Sequence, residues 1–326
     1  MVRYNSSQRI LIGYLLGAIT IVIWGITFVC TKYLLKSFSA LEILVIRFLL
    51  AYIGLWCLSP KTLHLFQKKD EYFFIAAGLS GVTVYQFMEN MAINFTSASN
   101  VSIIVSICPM FTAIIAQIVL HEKHITWQFI IGFIIAICGI ALVSFNGTAV
   151  LHFSPKGDLL ALAAAISWGF YSLFVSIING KGYSTLAATR RIFFWAIIFM
   201  IPLVIYGYLT NNKVSSNNVN QFTKECSVSL DATLNATRWT DWKNWMNLLF
   251  LGLGASAFAF AAWNKVCAFI GTVKATVGIY LIPVVTIIFA FFALGEKISL
   301  MGLIGAMLTI TGLIVSEFKG KTSLQK

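Results

Sequence analysis

Apolar runs of about twenty residues, each closed by Pro, Gly or charge, follow one another along the chain with little between them. Their approximate limits are 10–35, 39–58, 72–94, 97–120, 126–146, 157–179, 185–209, 245–267, 271–294 and 299–318. A hydrocarbon core about 30 Å thick takes roughly 20 apolar residues in helical form, so each run is long enough to cross one. Short connections make neighbouring helices antiparallel. The pattern predicts an all-α membrane protein of ten transmembrane helices. Residues 210–244 break it: they are rich in Asn, Ser and Thr, carry no apolar period, and read as an exposed loop between helices seven and eight.

The second pattern is an internal repeat. Asn90, Phe95, Pro109, Thr112, Ile114, Ala116, Leu120, Glu122 and Lys123 recur 174 positions later as Asn264, Phe269, Pro283, Thr286, Ile288, Ala290, Leu294, Glu296 and Lys297. Upstream the spacing is 144. It pairs Gly13 with Gly157, Leu15 and Leu16 with Leu159 and Leu160, Trp24-Gly25 with Trp168-Gly169, and Arg47 with Arg191. The difference of 30 residues is the length of the extra loop between helices seven and eight, so one insertion reconciles both spacings. The chain divides into a five-helix half over 1–150 and a second over 151–326, with the insertion at about 210–244. An odd number of helices per half gives the two halves opposite membrane orientation.

Composition agrees with a membrane protein, since 59% of the 326 residues are hydrophobic and only 10% are charged, against about 25% charged in a soluble domain. The net charge of +12 is spread singly over loops and ends instead of clustering on a face, which argues against nucleic acid. The first apolar run continues past the length of a signal peptide and lacks an A-x-A cleavage site, so it is read as a retained helix. Cys30, Cys57, Cys108, Cys138, Cys226 and Cys267 show no CxxC spacing and read as small hydrophobes, with no metal or other cofactor expected. Arg3, Arg9, Lys61, Lys68 and Lys69 favour a cytoplasmic N-terminus and 59–71 loop. With ten crossings both termini are then cytoplasmic, and 210–244 is external. The cell membrane is the expected location, with monomer and dimer both open.

Two five-helix repeats, each with an early Trp-Gly, an Arg in its second helix and a fourth helix running through Pro to Glu-Lys, resemble the drug/metabolite transporter superfamily, in its ten-helix EamA-like branch. The likeness covers nearly the whole chain. It implies a transporter whose fourth and ninth helices flank a central pathway. Its relatives carry amino acids, nucleotide sugars, phosphorylated sugars, nucleosides and drugs. Arg47 and Arg191 are, on the same resemblance, structural anchors.

Polar side chains within a span should face another helix or a water-filled cavity, because hydrocarbon leaves them unsatisfied. Ser99, Ser102 and Ser106 share one helical face ahead of Pro109, and Thr276 and Tyr280 answer the last two in the second half, ahead of Pro283. The same stripe would also serve close packing or backbone bonding. Helix three brings Gln86, Glu89 and Asn90, and helix eight brings Trp263 and Asn264. Glu89 is a candidate proton or amine site, or an interfacial charge. Trp24, Trp168 and Tyr171 are candidate cavity walls, Pro109 and Pro283 candidate hinges, and Lys274 a basic group at the mouth or a positive-inside anchor. A cavity is expected near the midplane, with Trp24, Gln86, Ser102, Ser106, Trp168, Tyr171, Trp263, Thr276 and Tyr280 on its wall.

The expected function is secondary transport of a small organic metabolite, an amino acid or related compound moving outward by alternating access, with protons a possible coupling ion. The alternative is an anionic cargo, phosphorylated or nucleotide-linked. A membrane-embedded enzyme is disfavoured because His64, His121, His124 and His152 fall in loops or at helix ends, with no H-E-x-x-H and no G-x-S-x-G. No Walker A motif is present, so the chain itself does not hydrolyse ATP. The topology is tested at Cys226: a membrane-impermeant thiol reagent is expected to label it on intact cells. Labelling only after the cells are opened would reverse the orientation.

Overall fold

A computed structural model describes residues 5–60, 62–95, 98–121, 125–145, 154–214, 237–294 and 300–317. All regular structure among the described residues is helical. Helices that continue one another share a label: α1 Ser6–Leu34, α2 Ala40–Leu58, α3 over 71–95, α4 over 98–119, α5 Trp127–Phe145, α6 Pro155–Gly180, α7 Thr185–Val214, α8 Trp242–Ile270, α9 over 272–294 and α10 Leu300–Glu317. By length and composition α1, α2, α6, α7 and α8 are apolar enough to cross a membrane, and shorter apolar helices lie in α4, α5, α9 and α10. Ile10, Leu15, Ile53, Trp56, Ile134, Leu303 and Met307 are exposed on the outside of the bundle. Such a coat suits lipid and not water.

Local chemistry sets the helix starts. Asn5 accepts from the Gln8 N–H while the Gln8 side chain accepts from the Asn5 N–H, and Ser39 and Glu42 do the same at α2. Each box satisfies backbone donors that a first turn leaves without partners. Pro109 and Pro283, expected to kink their helices, instead follow interruptions. α4 leaves the α-helix at Ser106 and Ile107 and restarts at Cys108, and α9 tightens to a 3₁₀ turn over Gly278–Leu281 and restarts at Ile282. Each Pro is the second residue of the restarted helix, where its missing N–H is not needed.

α3 and α8 both widen part-way into π-helix, over Gly78–Val84 and Phe250–Phe258. These stretches coincide at the 174 spacing, and each is pressed by another helix. A Cβ on Gly78 would lie 2.7 Å from the Ile192 carbonyl of α7, and one on Gly252 would lie 2.6 Å from Leu50 Cβ of α2. The correspondence recurs at the Trp-Gly pairs. A Cβ on Gly25 would meet Val285 at 2.6 Å, and one on Gly169 would meet Phe111 at 3.2 Å. Val285 lies 174 positions after Phe111, as Gly169 lies 144 after Gly25.

α5 and α10 approach closely at their glycines. Gly132 faces Ser316 and Gly312, and Gly139 faces Thr309 and Gly305. Rising numbers meet falling ones, so the two helices run antiparallel. A Cβ on Gly139 would lie 2.4 Å from the Thr309 N and 2.7 Å from the Gly305 carbonyl, which is the reason small residues are needed there.

Polar clusters tie both ends of α2 to the second half. At its start Glu42 accepts from Arg238 Nη1 at 3.0 Å with both side chains buried, and the guanidinium lies 4.9 Å from the Phe38 ring. Past its end, Lys181 Nζ sits 2.8 Å from Asp70 Oδ1, the Tyr183 hydroxyl donates to Asp70 Oδ2 at 2.5 Å, and Arg190 donates to the Ser59 carbonyl. The Arg238 contact corrects the expectation of an exposed loop throughout 210–244. α7 continues to Val214, and 237–244 fold back with Arg238 and Asn244 buried. Residues 215–236, Cys226 among them, lie outside the described residues, as do Lys61, Glu122, Lys123, Glu296 and Lys297.

Two outcomes follow from this packing. Gly139→Leu is expected to lower thermal stability in detergent by about 1 to 3 kcal/mol, the usual cost of overpacking. Gly180→Ala, with nothing within 4 Å of the added Cβ, is expected to change it little. For Asp70, the hydrogen bonds from Lys181 and Tyr183 hold the carboxyl below the ordinary carboxylate range. Its folded-state pKa is therefore depressed, so its contribution is present at neutral pH and lost as pH falls through the lowered value. Wild-type melting temperature is expected to fall below about pH 4. Asp70→Asn should start lower at pH 7 and show a shallower acid decline; an unchanged profile would mean this cluster does not stabilise the fold.

Candidate functional site

α1, α2, α3, α4, α6, α8 and α9 converge on a buried cavity of about 30 Å³, measured as space open to the centre of a water molecule. That is room for about two waters, so a metabolite enters only when the walls separate. The cavity lies between the polar clusters at the two ends of α2.

Its polar wall comes from the first half. Arg47, buried in α2, donates from Nε to Ser256 Oγ at 2.5 Å and from Nη1 to Gln86 Oε1 at 2.7 Å. Ser256 sits in the π-helical stretch of α8, a kind of irregularity often found at functional sites. On α3 the Tyr85 hydroxyl donates to Glu89 Oε1, one helical turn away, at 3.0 Å. Arg47 and Glu89 form no ion pair within 4.0 Å. Ser102 and Ser106 add hydroxyls from α4, with Ser106 Oγ donating to the Ser102 carbonyl at 2.6 Å.

The opposite wall is aromatic. The repeat mates Trp24 and Trp168 meet edge to face, centroids 5.4 Å apart at 87°, and Phe260 packs against both at 5.6 and 6.0 Å. Trp24 Nε1 donates to the Ala255 carbonyl at 3.1 Å, again in the π-helical stretch. Trp168 Nε1 is buried and has no hydrogen-bond partner among the described residues. Phe28, Val105, Ile279 and Ile282 complete the apolar side.

Of the residues expected at the site, Trp24, Gln86, Glu89, Ser102, Ser106 and Trp168 line the cavity. Tyr171 and Trp263 stand behind it, 5.1 Å from Trp168 and 5.0 Å from Trp24 respectively. Asn264 is buried deeper, accepting from the Tyr171 hydroxyl at 2.8 Å and donating to Thr189 Oγ1 at 2.9 Å, and Asn90 donates to the Ala40 carbonyl at 3.4 Å. Thr276 bonds its own helix at Thr272, and Tyr280 is buried beside Phe133 of α5. Lys274 is exposed, its ammonium 5.4 Å from the Tyr14 ring. The side chain of Ser99 lies outside the described residues.

Both arginines hold partner segments. Arg191 of α7 pairs with Glu71 and donates to the Leu63 carbonyl, while Arg47 bonds Gln86 and Ser256 and also lines the cavity. Thr27, Tyr85, Cys108 and Ile282 were not singled out by sequence as site residues. Tyr85 alone carried a readable signal, four residues before Glu89 on the same helical face.

The fold is shared with a solved crystal structure of 15% identity, at a TM-score of 0.68 over 95% of this chain and 96% of that one. By sequence the chain is similar to an uncharacterized transporter of Archaeoglobus fulgidus, 26% identical over 94% of this chain and 97% of the relative. It is similar also to the uncharacterized transporter YyaM of Bacillus subtilis, 26% identical over 90% of this chain and 89% of that one. A probable terminal-alkyne amino-acid exporter of Streptantibioticus cattleyicolor is 24% identical over 91% of this chain and 90% of its own length. The EamA-like transporter family matches residues 11–145 and 226–318. With its apolar helices and closed polar cavity, the chain is therefore a multi-pass membrane transporter belonging to the EamA-like family of the drug/metabolite transporter superfamily.

Proposed function

We propose that this transporter exports an amino acid or a related small metabolite by alternating access, its ten helices crossing the membrane as two inverted five-helix halves with both termini cytoplasmic. The observation that carries the reading is the closed cavity between the halves, where Trp24 and Trp168, mates in the repeat, meet over a polar wall. The antiparallel course of α5 and α10, the last helix of each half, is what inverted halves require and parallel ones forbid. A central cavity held closed by polar clusters at opposite ends of α2 suits a cycle in which one end opens at a time. Amino-acid export draws support from the exporter of Streptantibioticus cattleyicolor among the relatives.

An anionic cargo is the second reading, and Arg47 in the cavity wall favours it. Glu89 on the same wall opposes it, and Lys274, the basic residue that first suggested it, is exposed at Tyr14 and does not line the cavity.

The test is exchange across proteoliposomes from a mixed pool of amino acids and other metabolites, read by mass spectrometry. Selective movement of amino acids is expected, and Trp168→Leu and Ser106→Ala are each expected to weaken apparent affinity by about ten- to a hundred-fold, the value of one lost hydrogen bond or a lost wall. Normal transport by both variants at wild-type levels would remove the cavity from the pathway.

A further inference from the structure

Resting on that reading, we propose that the cavity selects its cargo by presenting two opposite charges at once: Arg47 takes a carboxylate, Glu89 takes an ammonium, and the aromatic wall takes an apolar side chain. The cargo is then a zwitterionic α-amino acid with an aliphatic or aromatic side chain.

Both charged groups are more than nine-tenths buried, Arg47 at 3% exposure and Glu89 at 8%, and both line the same small cavity. Buried opposite charges normally close into an ion pair, because each is costly alone. Here the two groups share one cavity without an ion pair within 4.0 Å, and each is held by neutral neighbours: Ser256 and Gln86 on the guanidinium, Tyr85 on the carboxylate. Those bonds fix both groups and leave capacity on each, since the Arg47 bonds use Nε and Nη1 and the Glu89 bond uses Oε1. Trp168 Nε1–H, buried on the facing wall without a partner among the described residues, is a third donor suited to a carboxylate.

Charge decides the rest. A carboxylate without an ammonium would bring a negative charge to Glu89, and an amine without a carboxylate would bring a positive one to Arg47. Only a cargo carrying both satisfies the pair without repulsion, the combination of attraction and rejection by which sites discriminate. Phe28, Phe260, Ile279 and Ile282 form an apolar side of the cavity, against which a strongly polar or charged side chain would pay its desolvation cost.

Three probes that share a phenyl ring test it: L-phenylalanine, 3-phenylpropanoate and phenethylamine, as competitors and as counterflow substrates with wild-type protein in proteoliposomes. Phenylalanine is expected to move, with each singly charged analogue at least ten-fold weaker. Glu89→Gln is expected to narrow the gap between phenylalanine and phenylpropanoate by ten-fold or more and to leave the gap to phenethylamine. Arg47→Gln is expected to do the reverse. A purely structural role for the two residues would lower all three probes together and would overturn the proposal, as would wild-type protein that moves either analogue as well as phenylalanine. Should a variant fail to fold, the wild-type comparison alone decides. Movement of a phosphorylated metabolite but no amino acid would sink this selection while the chain remains a transporter. Movement of nothing from the pool would sink the transport reading itself.

Discussion

A guanidinium in the middle of an apolar bundle must be answered by other groups, and the arrangement around Arg47 is the constraint on which the centre of this molecule rests. Leaving it unpartnered in a low-dielectric interior would cost several kcal/mol. Its two hydrogen-bonded partners are Gln86 on α3 and Ser256 on α8, so the need of one side chain fastens two helices of the first half to one of the second. The π-helical stretch of α8 is part of the same solution. It carries Ser256 to Arg47 and the Ala255 carbonyl to Trp24, and both contacts close the cavity wall.

The repeat makes the asymmetry of the site intelligible. Arg191 holds the place of Arg47 in the second half, yet it turns to the end of the bundle and pairs with Glu71. The residues at repeat-related positions account for the choice. Where the first half has Gln86 the second has Phe260, and where the first half has Glu71 the second has Trp245. Arg191 therefore has a carboxylate at the helix end and no amide inside, while Arg47 has the amide inside and no carboxylate at the end. One scaffold used twice thus yields a cavity whose charges come from the first half and whose aromatic wall draws on both.

Much of the fold was legible because its causes are periodic or repeated. The ten apolar runs correspond to α1 through α10 within a few residues at most ends. Contacts in the structure recur at the 144 and 174 spacings, such as Gly25 on Val285 matched by Gly169 on Phe111. The site was half legible. Trp24, Gln86, Glu89 and the serines announced themselves as polar or amphipathic groups inside spans. Arg47 was read as an anchor, and it does fasten partner helices through Gln86 and Ser256; that it also lines the cavity leaves no trace in hydropathy. Thr276 and Tyr280 do not line the cavity: Thr276 bonds back to the Thr272 carbonyl, and Tyr280 packs beside Phe133 of α5. Arg238 was missed because a polar segment hides a single buried ion pair as readily as it shows exposure.

The two ends of α2 bear on how such a cavity can open. Glu42 serves the start of α2 twice, returning to the Ser39 N–H as a cap and accepting Arg238 from the segment before α8. The far end is held through the Ser59 carbonyl and the neighbouring Asp70 cluster to residues at the α6–α7 junction. Both sets of contacts cross between the halves. A substrate that neutralises or reorients Arg47, which sits on α2 between these ends, acts on the helix both sets restrain. In the proposed cycle the cargo is thus coupled to the two closures through one rigid element, and separate signalling parts for each face are not required.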